Sequence, residues 1–171
     1  MFDLDEFLHH FERVRERTRR VAACIPAEQV EWTYKAGAFT LGDLVRHIAV
    51  TERFIWAETV HSRPVAYRTH GRELADGRDA VLSLFDRLHE ESVERFRALT
   101  PAMLEAKCAT PGTPLTTWKW LRMMPEHEIH HRGQLYTMLG MLNVPTPSLY
   151  GMTVTEVMAS TKSEVRSTKE A

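Results

Sequence analysis

Glu126-His127-Glu128-Ile129-His130-His131-Arg132-Gly133-Gln134-Leu135 is the stretch that decides how this chain folds. His127 and His131 are four residues apart, so a helix stacks them on a single face. Both imidazoles then reach one point, at a separation the helix sets before any metal arrives. At 100° per residue, Trp120, Met123, Met124, Leu135, Met138 and Leu142 fall within about a quarter-turn of the pair. That predicts an apolar, inward face shared with two histidines. Two core histidines, each hydrogen-bonded to a neighbour, are the bland reading; the ligand spacing favours a metal site.

The helix carrying this pair is expected from about Thr116 to Leu142. Pro125 lies inside it, removes the bond to the Leu121 carbonyl and should kink it; the alternative is that Pro125 opens a separate helix. The continuous face of Trp120, Met124 and His127 favours the kink. Upstream, Thr40 is a candidate N-cap with Asp43 three residues on, a shortened capping box, and Phe39 and Leu44 can staple across it. Leu41, Leu44, Val45, Ile48 and Ile55 form the core stripe of that helix. His47, Thr51, Phe54 and Glu58 run along its flank, which places His47 at a seam between two helices.

The remaining chain supplies two more helices. Leu4, Phe7, Leu8, Phe11, Val14, Val21 and Ile25 recur at helical spacing from about residue 3 to 24, ahead of Pro26. Val81, Leu84, Phe85, Leu88, Phe96 and Leu99 mark another helix, from about residue 78 to 99, closed by Pro101. His61 to Asp76 has no period and is long for a helix connection, so it is a crossover or a loop roofing a pocket. Residues up to Pro114 read as loop, and no strand is expected. Thr153-Val154-Thr155-Glu156 resembles a capping box opening a short last helix. The expected fold is all-α: an antiparallel four-helix bundle with long connections over residues 1–162, then a frayed tail at 163–171.

A chain of 171 residues fits one domain, and 43% hydrophobic with 26% charged residues fits a soluble globular protein. The net charge of −1, with no basic field, argues against nucleic acid as a partner. No apolar run approaches the ~20 residues of a membrane span, and no signal peptide is visible after Met1. Two cysteines cannot build a disulfide framework, so the default location is cytoplasmic.

With His47 on one helix and His127 and His131 on another, three histidines can converge. Phe39-Thr40-Leu41-Gly42-Asp43-Leu44-Val45-Arg46-His47-Ile48-Ala49, His127-Glu128-Ile129-His130-His131-Arg132-Gly133-Gln134-Leu135 and Pro147-Ser148-Leu149-Tyr150 together resemble the DinB/YfiT-like superfamily of four-helix-bundle metalloenzymes. The His-Arg-Gly-Gln block is the most specific part of the likeness. The resemblance implies that His47, His127 and His131 bind a divalent metal ion, commonly zinc or nickel. Pro125 departs from the family pattern as this position is understood. Gln134, one turn on from His131, is placed to hydrogen-bond a ligand or bound water. His130 is rotated about 100° from His131 and is left out of the ligand set.

The resemblance further implies a small-molecule substrate, by hydrolysis or by transfer of a low-molecular-weight thiol, and a homodimer. Trp56, Tyr136 and Trp118 fall off the main core faces and are candidates for a partner surface. The rival from another class is a stress-associated protein whose metal is structural. A third reading takes His127-Glu128-x-x-His131 as a zincin motif with Glu128 as general base, but the longer metzincin pattern fails and no sheet edge is expected. His9, His10, His61, His70 and His89 need only surface or partly buried roles. No residue beyond the three histidines announces itself as catalytic.

Overall fold

The computed structural model describes residues 2–67, 69–152 and 154–158. The chain forms an antiparallel four-helix bundle whose long members are α1 (Leu4–Ala22), α2 (Leu41–Thr51), α4 (Arg78–Arg97) and α6 (Thr117–Met141). α1 packs on α6, and α2 packs on α4 and α6. α2 continues without a break through a π-helical turn, Glu52–Trp56, into the short α3, Ala57–Thr59.

Local chemistry sets these boundaries. The Asp3 carboxylate accepts from the Glu6 N–H, and Arg19 and Arg20 sit in the last turn of α1, where a cation opposes the helix dipole. At α2 the capping box is complete: Asp43 N–H donates to Thr40 Oγ1 at 2.9 Å and Thr40 N–H to Asp43 Oδ2 at 3.1 Å. Fully buried Arg46 then gathers two segments onto α2. Its guanidinium reaches Glu31, Asp43 at 3.0 Å and the Ala75 carbonyl at 2.9 Å, fastening the connections on either side of α2. Gly42 leaves room for this, since a Cβ there would stand 3.0 Å from Arg46 Nη1 and Val30.

α6 is one helix through Pro125, which is buried beside Leu121 and Met124, so the favoured single helix holds and the separate-helix alternative is excluded. Other expectations need correction. The segment after α4 is not all loop. Thr100 caps a short α5, Pro101–Glu105, with proline at its tolerated first-turn position. β1 (Lys107–Cys108) and β2 (Leu115–Thr116) then form a two-residue antiparallel ladder, Lys107 opposite Thr116 and Cys108 opposite Leu115.

Trp56 is not a surface aromatic. The π-helical turn inserts a residue into the helical phase, so Trp56 turns inward and stacks on Trp120, ring centroids 5.0 Å apart, while Ile55 is only half-buried. Trp118 is half-buried against Phe2, and Tyr136 is tied to the Pro147 carbonyl. The three aromatics offered as a partner surface are therefore engaged within the chain. The inward face of α6 is also rotated from its expected position. Its centre is Leu121, Met124, Glu128, Leu135 and Leu139, and Met123 is 44% exposed.

The core divides into two apolar clusters. One gathers Val21, Leu44, Ile48, Phe85, Leu135 and Leu139; the other gathers Phe7, Phe11, Trp56, Phe96, Leu121 and Met124. On each long helix a charged or imidazole residue lies in sequence between the two: Arg15, Glu52 just past α2, His89 and Glu128. A helical turn is described at 154–158; the expected cap Thr153 and the tail 163–171 lie outside the described residues.

Candidate metal centre

His47 projects from the middle of α2, and His127 and His131 project from successive turns of α6. The structure brings all three together. His127 Nε2 stands 3.2 Å from His47 Nε2 and 3.1 Å from His131 Nε2. Their donor atoms are the one set among the described residues with the closeness a metal needs. Nitrogens held about 2.0–2.1 Å from a tetrahedral ion stand about 3.3 Å apart, close to the spacing found here. The donors therefore fit a divalent metal ion.

Electrostatics keeps all three rings neutral, as ligands must be. Burial, followed by the neighbouring His131 and His70, lowers the pKa of His47 to about 4. Burial, then His131, His47 and His130, lowers His127 to about 3. His131 is lowered by burial too, against the opposing effect of its bond to Gln134.

Two of the rings are held from behind. His131 Nδ1 is 2.7 Å from Gln134 Oε1, so the ring donates and the amide oxygen accepts. Gln134 thus bonds a histidine of the cluster. Its amide nitrogen in turn lies 3.3 Å from His130 Nε2, which keeps His130 beside the cluster but outside it. On the α2 side, His47 Nδ1 is 3.1 Å from the Tyr67 hydroxyl, and that hydroxyl is 2.8 Å from His70 Nδ1. Phe39 sets its ring edge-on to His70 at 4.5 Å and lies 5.2 Å from the His47 ring.

Tyr67 and His70 were missed in the sequence. Their segment has no periodicity, and its one signal was a length suited to roofing a pocket. His61 also lies on this connection but turns away, its Nε2–H donating to the Arg95 carbonyl at 2.8 Å.

Glu128 is not placed as a zincin base. It is 1% exposed and faces α1, where Arg15 Nη2 stands 3.0 Å from Glu128 Oε2. The same guanidinium pairs with Glu52, and its plane lies 4.0 Å over the Phe85 ring. His89 Nδ1–H completes the group by donating to Glu52 Oε1 at 3.0 Å. Burial, then Arg15 and Arg97, outweigh that carboxylate and hold the His89 pKa down at about 3. Arg132, inside the His-Arg-Gly-Gln block, likewise serves the fold: it bonds the Val14 carbonyl at 3.2 Å and the Tyr150 hydroxyl at 2.7 Å.

A cleft of about 430 Å³ opens beside the cluster, walled by Tyr34, Phe39, Leu44, Met138 and Met141, with His130, Gln134 and Thr137 among its polar groups. Phe39 and Gln134 belong both to the cleft and to the surroundings of the histidines.

A bundle of this topology with three converging histidines defines a class, and the sequence comparison names it. The family model of the DinB superfamily matches residues 10–135, and the chain belongs to that superfamily. Among solved structures it is similar to a DinB-like protein of Bacillus cereus, at 18% identity over 85% of this chain and 97% of that one, TM-score 0.74. It is also similar to YfiT from Bacillus subtilis, described as a probable metal-dependent hydrolase with an unusual four-helix-bundle topology. That likeness has 15% identity over 83% and 89% of the two chains, TM-score 0.66. A third is a mycothiol-dependent maleylpyruvate isomerase, 15% identical over 78% of this chain and 61% of the other, TM-score 0.65. Among curated proteins none matches this chain. These likenesses concern the fold.

Proposed function

We propose that His47, His127 and His131 hold one divalent metal ion, zinc or nickel, and that the protein is a metal-dependent enzyme acting on a small molecule by hydrolysis or thiol transfer. The observation that carries this reading is the approach of His127 Nε2 to 3.2 Å from His47 Nε2 and 3.1 Å from His131 Nε2, with the ligand atoms of all three within 4.8 Å of one another across two helices. When bound, an ion on three neutral ligands keeps its double charge and an open position, and so supplies Lewis-acid activation of water or of a thiol. The chain's own residues do the rest. Gln134 and Tyr67 orient two of the ligands, and burial keeps all three deprotonated. The cleft bounded by Phe39 and Gln134 receives the body of the substrate.

The neighbour described as a probable metal-dependent hydrolase supports hydrolysis, and the mycothiol-dependent isomerase supports use of a low-molecular-weight thiol. The test is turnover of activated esters, and of a low-molecular-weight thiol with an electrophile, by zinc-loaded and metal-free protein. One of the two reactions is expected to require zinc and to vanish in the His127→Ala, His131→Ala double variant. Loaded protein that turns over neither class would overturn the enzymatic reading in favour of a binding protein.

The assembly proposed is a homodimer in the cytoplasm. Exposed Ile129, Met141, Tyr150 and Met152 support an interface at the outer face and C-terminal end of α6. Among the described residues no helix is long and apolar enough to cross a membrane. Light scattering over a concentration series should give twice the chain mass; a monomer mass at tens of micromolar would contradict the dimer.

A further inference from the structure

We infer that Tyr67 and His70 form a hydrogen-bonded relay that positions His47 and reports metal occupancy to the connection between α3 and α4. The inference rests on the metal-centre reading above and extends it to two residues outside the ligand set.

The geometry is a line of three groups: His47 Nδ1, the Tyr67 hydroxyl 3.1 Å away, and His70 Nδ1 2.8 Å beyond it. A hydroxyl has one proton to donate, so this line can run in either of two directions. In one, His47 Nδ1–H donates to Tyr67 and Tyr67 donates to His70, which must then carry its proton on Nε2. In the other, His70 Nδ1–H donates to Tyr67 and Tyr67 donates to His47, whose proton sits on Nε2. A neutral imidazole that gives its Nε2 lone pair to a metal keeps its proton on Nδ1. An ion at the cluster therefore excludes the second direction and leaves the Tyr67 hydroxyl proton to go to His70 Nδ1. The choice is passed along two hydrogen bonds to His70.

The surroundings make the relay a built feature. Phe39, the residue just before the α2 cap, sets its edge on His70 and lies against His47, so the outer member of the line is packed as well as bonded. The Arg46 bond to the Ala75 carbonyl fastens the far end of the same connection to α2, one residue before His47. Thr51 Oγ1, 3.4 Å from His47 Nδ1, is a second and longer partner of the same ring atom. His131 is held by a different group, Gln134, so the two supports can be removed separately.

The test uses the full chain and zinc alone. Affinity is measured by competition with a chelating dye for the unaltered protein and for the Tyr67→Phe, His70→Leu and His70→Asn variants. Tyr67→Phe keeps the ring and removes the hydroxyl, and should weaken zinc binding about tenfold, the usual cost of losing such a support. His70→Leu should weaken it in the same direction. His70→Asn places an amide oxygen where Nδ1 accepts, and should restore the affinity of the unaltered chain. Nitrogen-15 imidazole spectra supply the readout that packing alone would not move. His70 should be in the Nε2–H form with zinc, and this dependence on zinc should be lost in Tyr67→Phe. Equal zinc affinity in all four proteins, or a His70 tautomer indifferent to zinc in the unaltered chain, would overturn the relay and leave the metal centre standing. No zinc bound by the unaltered chain would overturn both.

Discussion

The histidine cluster and the buried ionic group are built on the same two stretches of chain, five residues apart on one (His47 and Glu52) and adjacent on the other (His127 and Glu128). They solve opposite problems. The ionic group carries its own cation: Arg15 lies between Glu52 and Glu128, and His89 bonds the outer carboxylate. The histidine cluster has three neutral donors and no cation of its own. One step along α6 thus separates carboxylates that face a cation of the chain from neutral donors that face none. Donor type decides the difference. Carboxylates cannot be buried unpaired, whereas neutral imidazoles can wait.

That contrast predicts unequal responses to mutation. Arg15→Ala leaves two carboxylates in the core without a counter-charge and should cost about 3–5 kcal/mol of stability, read as a lower urea midpoint. A loss no larger than that of a surface substitution would mean that the ionic group is solvated and that the comparison fails.

Acid should act next. The histidines of both regions have lowered pKa values, about 3 for His89 and His127 and about 4 for His47, while an unfolded histidine takes a proton near 6.5. The unfolded state then binds more protons at mildly acidic pH. The stability these groups contribute is complete above about 6.5 and is lost as pH falls toward their folded values. In metal-free protein, His89→Gln should make the slope of stability against pH shallower by about 1.4 kcal/mol per unit between about pH 6 and 4. An unchanged slope would mean that His89 already carries a proton in the fold. The smallest effect belongs to the other region. His127→Ala in metal-free protein removes one half-buried neutral ring and should cost about 1 kcal/mol or less.

The sequence made one of these regions legible and hid the other. His127 and His131 were visible because i, i+4 spacing is local, and His47 because a capping box fixed the phase of α2. The four-helix count followed from apolar periodicity. The ionic group joins residues 37 and 113 positions from Arg15, and nothing local announces such a pairing. The inferred face of α6 was centred on the histidine pair and so reached Met123, which is exposed, while the buried face is centred nearer Glu128. The π-helical turn defeated the Trp56 reading in the same way, since a constant 100° step cannot foresee an inserted residue. Tyr67 and His70 lie on a connection without period, where only the tertiary fold brings them to His47.

Metal content is the most direct test of the central claim. Protein purified without chelator, then dialysed against zinc, should hold one ion per chain by elemental analysis. The His127→Ala, His131→Ala double variant should hold none while keeping its helical circular dichroism. Equal metal content in the two proteins, or none in the unaltered chain, would contradict a centre built from His47, His127 and His131.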